Sequence, residues 1–188
     1  MEDSYDAISI TIKSLPAHRF MHIKNHESDG YFDFWDKQDK VPGQDCDTIT
    51  QILDTIQGKL DGEDRIRGQF SGQVMAGVYE NDGQRTEAYG VRLPADYTGP
   101  LPQPLLMLDV PLADYLIFEH GPFDYHSEGD TVYQLLQAVM ERFSYDDLDF
   151  EPDHRPGRLS YYYFDPGRYA KYVLPIKPKG DENGGSLF

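Results

Sequence analysis

Isoleucines fall at every second position in residues 6–15, Asp6-Ala7-Ile8-Ser9-Ile10-Thr11-Ile12-Lys13-Ser14-Leu15. This alternation predicts a strand with one buried face. Pro16 ends it, and a second strand is predicted at about 18–26, carrying Phe20, Met21 and Ile23. An aromatic segment follows, Tyr31-Phe32-Asp33-Phe34-Trp35, then a loop at Val41-Pro42-Gly43. The rhythm then changes. Ile49, Ile52, Leu53, Ile56 and Leu60 recur as one face of a helix that starts at Thr48 under an Asp47 cap. Gly58 weakens its end, and Asp61-Gly62 stops it. Residues 71–80 and 86–93 flank Asn81-Asp82-Gly83-Gln84, which predicts a hairpin.

Pro94, Gly99, Pro100, Pro102 and Pro104 make 94–104 a stiff linker. The plan then repeats. A strand at 105–110 ends at Pro111, as the first ended at Pro16, and another follows at 112–119. Val132, Leu135, Leu136, Val139, Met140 and Phe143 give a second amphipathic helix, with Ser127 and Asp130 at capping-box spacing. Strands at 158–164 and 168–176 flank the turn Asp165-Pro166-Gly167. Local words also repeat: Leu15-Pro16-Ala17 parallels Val110-Pro111-Leu112, and Tyr89-Gly90-Val91-Arg92-Leu93-Pro94 parallels Tyr172-Val173-Leu174-Pro175. The chain therefore reads as α+β, two pseudo-symmetric ββαββ modules with antiparallel sheets. The modules are expected at about residues 5–94 and 105–178 of a single domain over 1–178, with a mobile tail at 179–188. Their open faces, side by side, are expected to border a ligand groove.

Composition narrows the class. With 17 Lys and Arg against 33 Asp and Glu, the 188-residue chain carries −16. That charge repels phosphate and argues against direct nucleic-acid binding. The 13% aromatic fraction, with 14 Tyr and 10 Phe, supplies enough apolar mass for a core. No run approaches the roughly 20 apolar residues of a membrane span, and the acidic N-terminus lacks a signal core, so a cytoplasmic protein is expected. Cys46 is the only cysteine, which leaves no intrachain disulfide and no Cys-rich zinc site.

The candidate chemistry lies in rings and carboxylates. Tyr31, Phe32, Phe34, Trp35, Tyr89 and Tyr161–Tyr163 either pack a core or offer flat contact to a planar or cationic ligand. Tyr162 shares a strand face with Ser160, and Tyr161 and Tyr163 share the other. Glu87 and Glu119 sit in apolar strands. Each either faces water or faces the groove as an acid, base or partner for a cation. His18, His22 and His26 recur every fourth residue, but in a strand neighbours lie about 13 Å apart, too far for one metal. His120 is expected to hydrogen bond the turn at Gly121-Pro122. Cys46 lies between Asp45 and Asp47, which disfavours a thiolate. The acidic runs at 33–47 and 146–153 lack a calcium-loop pattern, and no phosphate loop or nucleophile elbow occurs. No metal and no cofactor are expected.

His120-Gly121-Pro122-Phe123 followed by Thr131-Val132-Tyr133-Gln134-Leu135, together with Ala88-Tyr89-Gly90-Val91 and Tyr172-Val173-Leu174-Pro175-Ile176, resembles the GyrI-like small-molecule-binding domains over about residues 5–178. The resemblance implies paired modules with a ligand groove. It also implies kinship with the effector-binding, often multidrug-binding, domains of AraC- and MerR-type regulators. Stand-alone members are thought to bind or sequester compounds, to inhibit gyrase, or to hydrolyse cyclopropane-containing toxins. The family commonly carries a Glu in the penultimate strand, two residues before a Tyr. Ser160 stands at that position here and carries no charge, so any such role requires Glu87 or Glu119 from another strand.

The expected function is binding of a small apolar or cationic aromatic compound, as a stand-alone sensor or sequestering protein. Trp35, Tyr31, Phe34, Tyr89, Glu87, Glu119, Ser160 and Tyr162 are its candidate ligand-binding residues. Hydrolysis of a strained electrophile and inhibition of gyrase or a regulator, through a protein partner, are the alternatives. No membrane partner is expected.

Overall fold

The computed structural model describes residues 7–61 and 72–180. The acidic N-terminus, Gly62, the predicted strand start at Ser71 and most of the predicted tail lie outside the described residues. The helix predicted to run through Ile56 and Leu60 to a stop at Asp61-Gly62 already ends at Asp54. Among those described, nine strands and three helices follow in order: β1 (Ile8–Leu15), β2 (His18–Asn25), α1 (Tyr31–Gln38), α2 (Cys46–Asp54), β3 (Gln73–Tyr79), β4 (Arg85–Pro94), β5 (Leu106–Val110), β6 (Ala113–His120), α3 (Tyr125–Arg142), β7 (Phe150–Pro152), β8 (Leu159–Asp165) and β9 (Tyr169–Pro178). The protein is α+β, as its patterning predicts.

Three local outcomes differ from the pattern. The aromatic segment is a helix, α1, opened by Gly30 at φ 86° and braced by Lys37 on Asp33 one turn back at 2.8 Å. In α2 the cap is Asp45, two residues before the predicted one. Its carboxylate accepts from the Thr48 N–H at 2.9 Å and the Thr48 hydroxyl at 2.7 Å, which holds its pKa below the ordinary carboxylate value. In α3, Asp124 rather than Ser127 caps. Asp124 accepts from the His126 and Ser127 N–H groups, and the Glu128 carboxylate accepts from the Asp124 N–H.

Two compact units divide the chain. The two-helix unit comprises 17–111 and 154–159. Its strands run β5–β2–β4–β3, with His22 opposite both Leu106 and Gly90. One sheet face packs on the helices, where Phe34, Ile49 and Leu53 are fully buried. The one-helix unit comprises 1–16, 112–153 and 160–188. Its strands run β1–β6–β9–β8, with β7 also paired to β9. Its core joins Ile8, Leu116, Phe118, Val132, Leu136, Phe150, Ala170 and Ile176. The helix face predicted for α3 thus meets the sheet, with Leu135, Val139, Met140 and Phe143 packed around that core.

The strand orders match place for place, yet β1 pairs with β6 and β5 pairs with β2. The sequence neighbours β1 and β2 therefore form no hairpin, and neither do β5 and β6, whereas β3–β4 and β8–β9 do. The connectors explain this. A two-residue hairpin needs a positive φ that proline cannot adopt, and the connectors here are Pro16-Ala17 and Pro111-Leu112. At the end of β1, the Ser14 hydroxyl donates to the buried Asp114 carboxylate of β6.

Candidate functional site

Four predicted ligand residues meet in the two-helix unit. Trp35 packs edge-on against Phe34 (centroids 5.0 Å apart), Tyr89 (4.9 Å) and Tyr31 (6.4 Å). Phe34, Trp35 and Tyr89 are buried, whereas Tyr31 is exposed. The Tyr89 hydroxyl donates to Gln73 Oε1 at 2.8 Å, and the Gln73 amide donates to the Thr50 carbonyl at 3.0 Å. This chain of contacts ties α1 and α2 to β3 and β4. Glu87 lies two residues from Tyr89 on β4 and accepts from Arg85. The Arg85 guanidinium lies over Gly77, where no side chain intervenes.

The other candidates lie in the one-helix unit. Tyr162 stacks on Tyr172 at 4.4 Å and meets Tyr133 of α3 at 6.2 Å, so its face is the helix face. Burial, then the neighbouring Tyr133, raises its phenol pKa above the ordinary tyrosine value. Ser160 is buried on β8. Glu119 lies on the opposite face of β6, 3.7 Å from Lys171 of β9. The Lys171 ammonium sits 3.9 Å from the Tyr169 ring centroid and 5.1 Å from that of Tyr163.

A cavity of 360 Å³ opens within the two-helix unit. Its walls include His22 and Lys24 of β2, Val78 of β3, Glu80 at the start of the hairpin, and Leu106 and Leu108 of β5. Lys24 Nζ lies 2.6 Å from Glu80 Oε1. A second hollow, of 560 Å³, holds the Arg19–Asp109 pair. The Asp109 side chain is 78% exposed, so water screens its charge, whereas that of Glu80 is 26% exposed beside leucine and valine. The smaller cavity is therefore the stronger place to hold a charge.

His22 joins this cavity as a neutral ring. It is 3% exposed and stacks on Phe20 at 5.0 Å, and its Nδ1 lies 3.0 Å from the Phe20 carbonyl. A carbonyl only accepts, so Nδ1 carries the proton and Nε2 is the acceptor. Burial lowers its pKa first, and the Lys24 charge adds to that. The native state then binds fewer protons at His22 than the unfolded chain does, so stability falls as pH drops below about 6.5. Thermal melts between pH 8 and 5.5 are expected to show this decline, and His22→Gln is expected to flatten it. An unchanged slope in the variant would remove His22 as its source.

The remaining chemistry-bearing residues have structural partners. His120 Nδ1 bonds the Gly121 carbonyl at 2.8 Å, and His26 meets the Thr86 hydroxyl at 3.2 Å. Burial, followed by Asp47, Asp39 and Asp45, pushes the Cys46 thiol up to about 11. Among the described residues, no group of three or more His, Cys, Asp or Glu is placed to hold a metal. No helix there is long and apolar enough to cross a membrane. Sequence reasoning passed over Glu80 and Lys24, which lie more than fifty residues apart. The one available signal was Glu80 itself, an acid closing the apolar run Val74–Tyr79.

No family model and no curated protein matches the sequence. Solved structures do match. The structure of SAV2435 bound to tetraphenylphosphonium aligns with 90% of this chain and 94% of its own, at 12% identity and a TM-score of 0.50. A transcription regulation protein from Staphylococcus aureus aligns with 90% of this chain and 98% of its own, at 12% identity and a TM-score of 0.48. A hydrolase from Listeria innocua aligns over 89% and 91%, at 13% identity and a TM-score of 0.44. The first of these likenesses shows a shared fold, consistent with the GyrI-like resemblance of the sequence motifs.

Proposed function

We propose that this protein binds a lipophilic organic cation in the cavity of the two-helix unit, as a sensor or sequestering protein. The observation that carries the reading is a carboxylate, Glu80, set among Val78, Leu106 and Leu108 in a 360 Å³ cavity. That volume falls within the range of small-molecule pockets, about 300–1,000 Å³. A partly desolvated carboxylate attracts a cation more strongly than one in water. Apolar contact adds about 25 cal/mol per Å² removed from water. The net charge of −16 favours cations at long range and weakens as salt rises. The shared fold adds support, because SAV2435 holds tetraphenylphosphonium, a cation of this class.

Within this reading, Trp35, Phe34 and Tyr89 hold β4 against α1, with Tyr31 at their edge, and Glu87 pairs with Arg85. Tyr162 packs against α3, and Ser160 is buried on β8. Glu119 pairs with Lys171 on the opposite face from α3. Titration with tetraphenylphosphonium is expected to give saturable binding that Glu80→Lys, which sets a like charge in the cavity, weakens about tenfold or more, roughly 1.4 kcal/mol. Equal affinity in wild type and variant would exclude the site.

A further inference from the structure

We propose that Lys24 is a built-in competitor for the ligand: its ammonium occupies the cation position on Glu80 in the unliganded protein, and an organic cation binds by displacing it. The inference rests on the cation-binding reading above and adds to it a rule for what binds. Lys24 Nζ lies 2.6 Å from Glu80 Oε1, and the two side chains are 25% and 26% exposed. Both residues line the cavity that Val78, Leu106 and Leu108 wall. The site therefore already displays its own chemistry, an ammonium on a carboxylate in apolar surroundings.

Such a pair is poised for exchange. Desolvation of two partly buried charges offsets much of their attraction, so the pair contributes little net stability. Breaking it with nothing in return leaves Glu80 unpaired, which is costly. Breaking it in favour of another cation leaves Glu80 paired. Lys24 then swings out on its flexible stem and regains hydration. The exchange of one cation for another is close to neutral, so the apolar body of the ligand decides the outcome. A small hydrated ammonium ion gains nothing by replacing Lys24. A cation that carries aryl or alkyl bulk gains contact with the leucines and the valine. Lys24 thus sets an affinity threshold that only lipophilic cations pass, and the matching ligand class is aryl- or alkyl-rich phosphonium and quaternary ammonium compounds.

Removing Lys24 could also strengthen cation binding by simple loss of repulsion, and a double-mutant cycle separates the two causes. Tetraphenylphosphonium and the neutral triphenylphosphine oxide are titrated by calorimetry into the full chain as wild type, Lys24→Met, Glu80→Gln and the double variant. Lys24→Met is expected to raise phosphonium affinity about fivefold or more and to leave oxide affinity within about twofold. The gain is expected to vanish in the Glu80→Gln background. A gain that persists there assigns the effect to repulsion and overturns the proposal. So does an absent gain, or an equal gain for the oxide, while wild-type phosphonium binding leaves the underlying reading standing. No phosphonium binding by either wild type or Lys24→Met overturns both together. Lys24→Gln gives the same cycle with a polar side chain if the methionine variant does not fold.

Discussion

Gly90→Ala is expected to cost about 3 kcal/mol or more of folding stability, the upper end for overpacking. Gly90 lies opposite His22 in the β2–β4 ladder. A Cβ there would stand 2.1 Å from the Met21 carbonyl oxygen, 2.7 Å from His22 Cβ and 2.8 Å from His22 Cα. Two of these three atoms are backbone, so no side-chain rotation relieves the clash and the strands must separate. Gly77→Ala supplies the contrast. Its Cβ would meet the Arg85 guanidinium at 1.9 Å, but that group ends a flexible side chain and can move away. Its cost is expected to be about 1 kcal/mol, mainly the disturbed Arg85–Glu87 pair. Urea denaturation followed by circular dichroism compares the two. Similar midpoints would show that β2 and β4 are not so closely apposed at Gly90.

Trp35→Ala is expected to cost about 3–5 kcal/mol, as for other buried aromatic truncations. Trp35 is 6% exposed, and its ring touches Phe34, Tyr31 and Tyr89. Its loss leaves a void that α1 and β4 close only in part. The indole Nε1 is buried with no hydrogen-bond partner among the described residues. Trp35→Phe removes that orphan donor while keeping most of the apolar contact, so its cost is expected to be about 1 kcal/mol. Equilibrium unfolding of both variants measures the difference. A Trp35→Ala protein as stable as wild type would contradict the core role and return Trp35 to the surface.

The contrast between local and distant information accounts for what the sequence disclosed. Alternation at Ile8, Ile10 and Ile12 placed the strand β1, because a strand's period of two is written in neighbouring residues, but not the predicted buried face, since Ile8 is buried while Ile10 is 44% exposed. The spacing of Val132 and Leu136 placed the buried face of α3 for the same reason. The Tyr31–Trp35 run did not announce α1, since consecutive aromatics show no helical period and Gly30 supplies the start through its backbone. The pairing of β1 with β6 depends on residues about a hundred positions apart, and only the proline connectors hinted that β1 would not fold onto β2. Tyr162 faces α3 because strand alternation fixes which rings share a face without fixing which face is covered. The cavity was hidden most completely. Lys24 and Glu80 meet only once β2 and β3 are placed in one sheet with β4 between them, and neither stands out in its own segment.

The measurement closest to the central claim is a methyl-resolved NMR titration of the wild-type chain with tetraphenylphosphonium. Saturable shifts concentrated at the Val78, Leu106 and Leu108 methyl groups, moving together to one dissociation constant, are the predicted result. An absence of saturable shifts, or shifts centred on residues remote from Glu80, would contradict it.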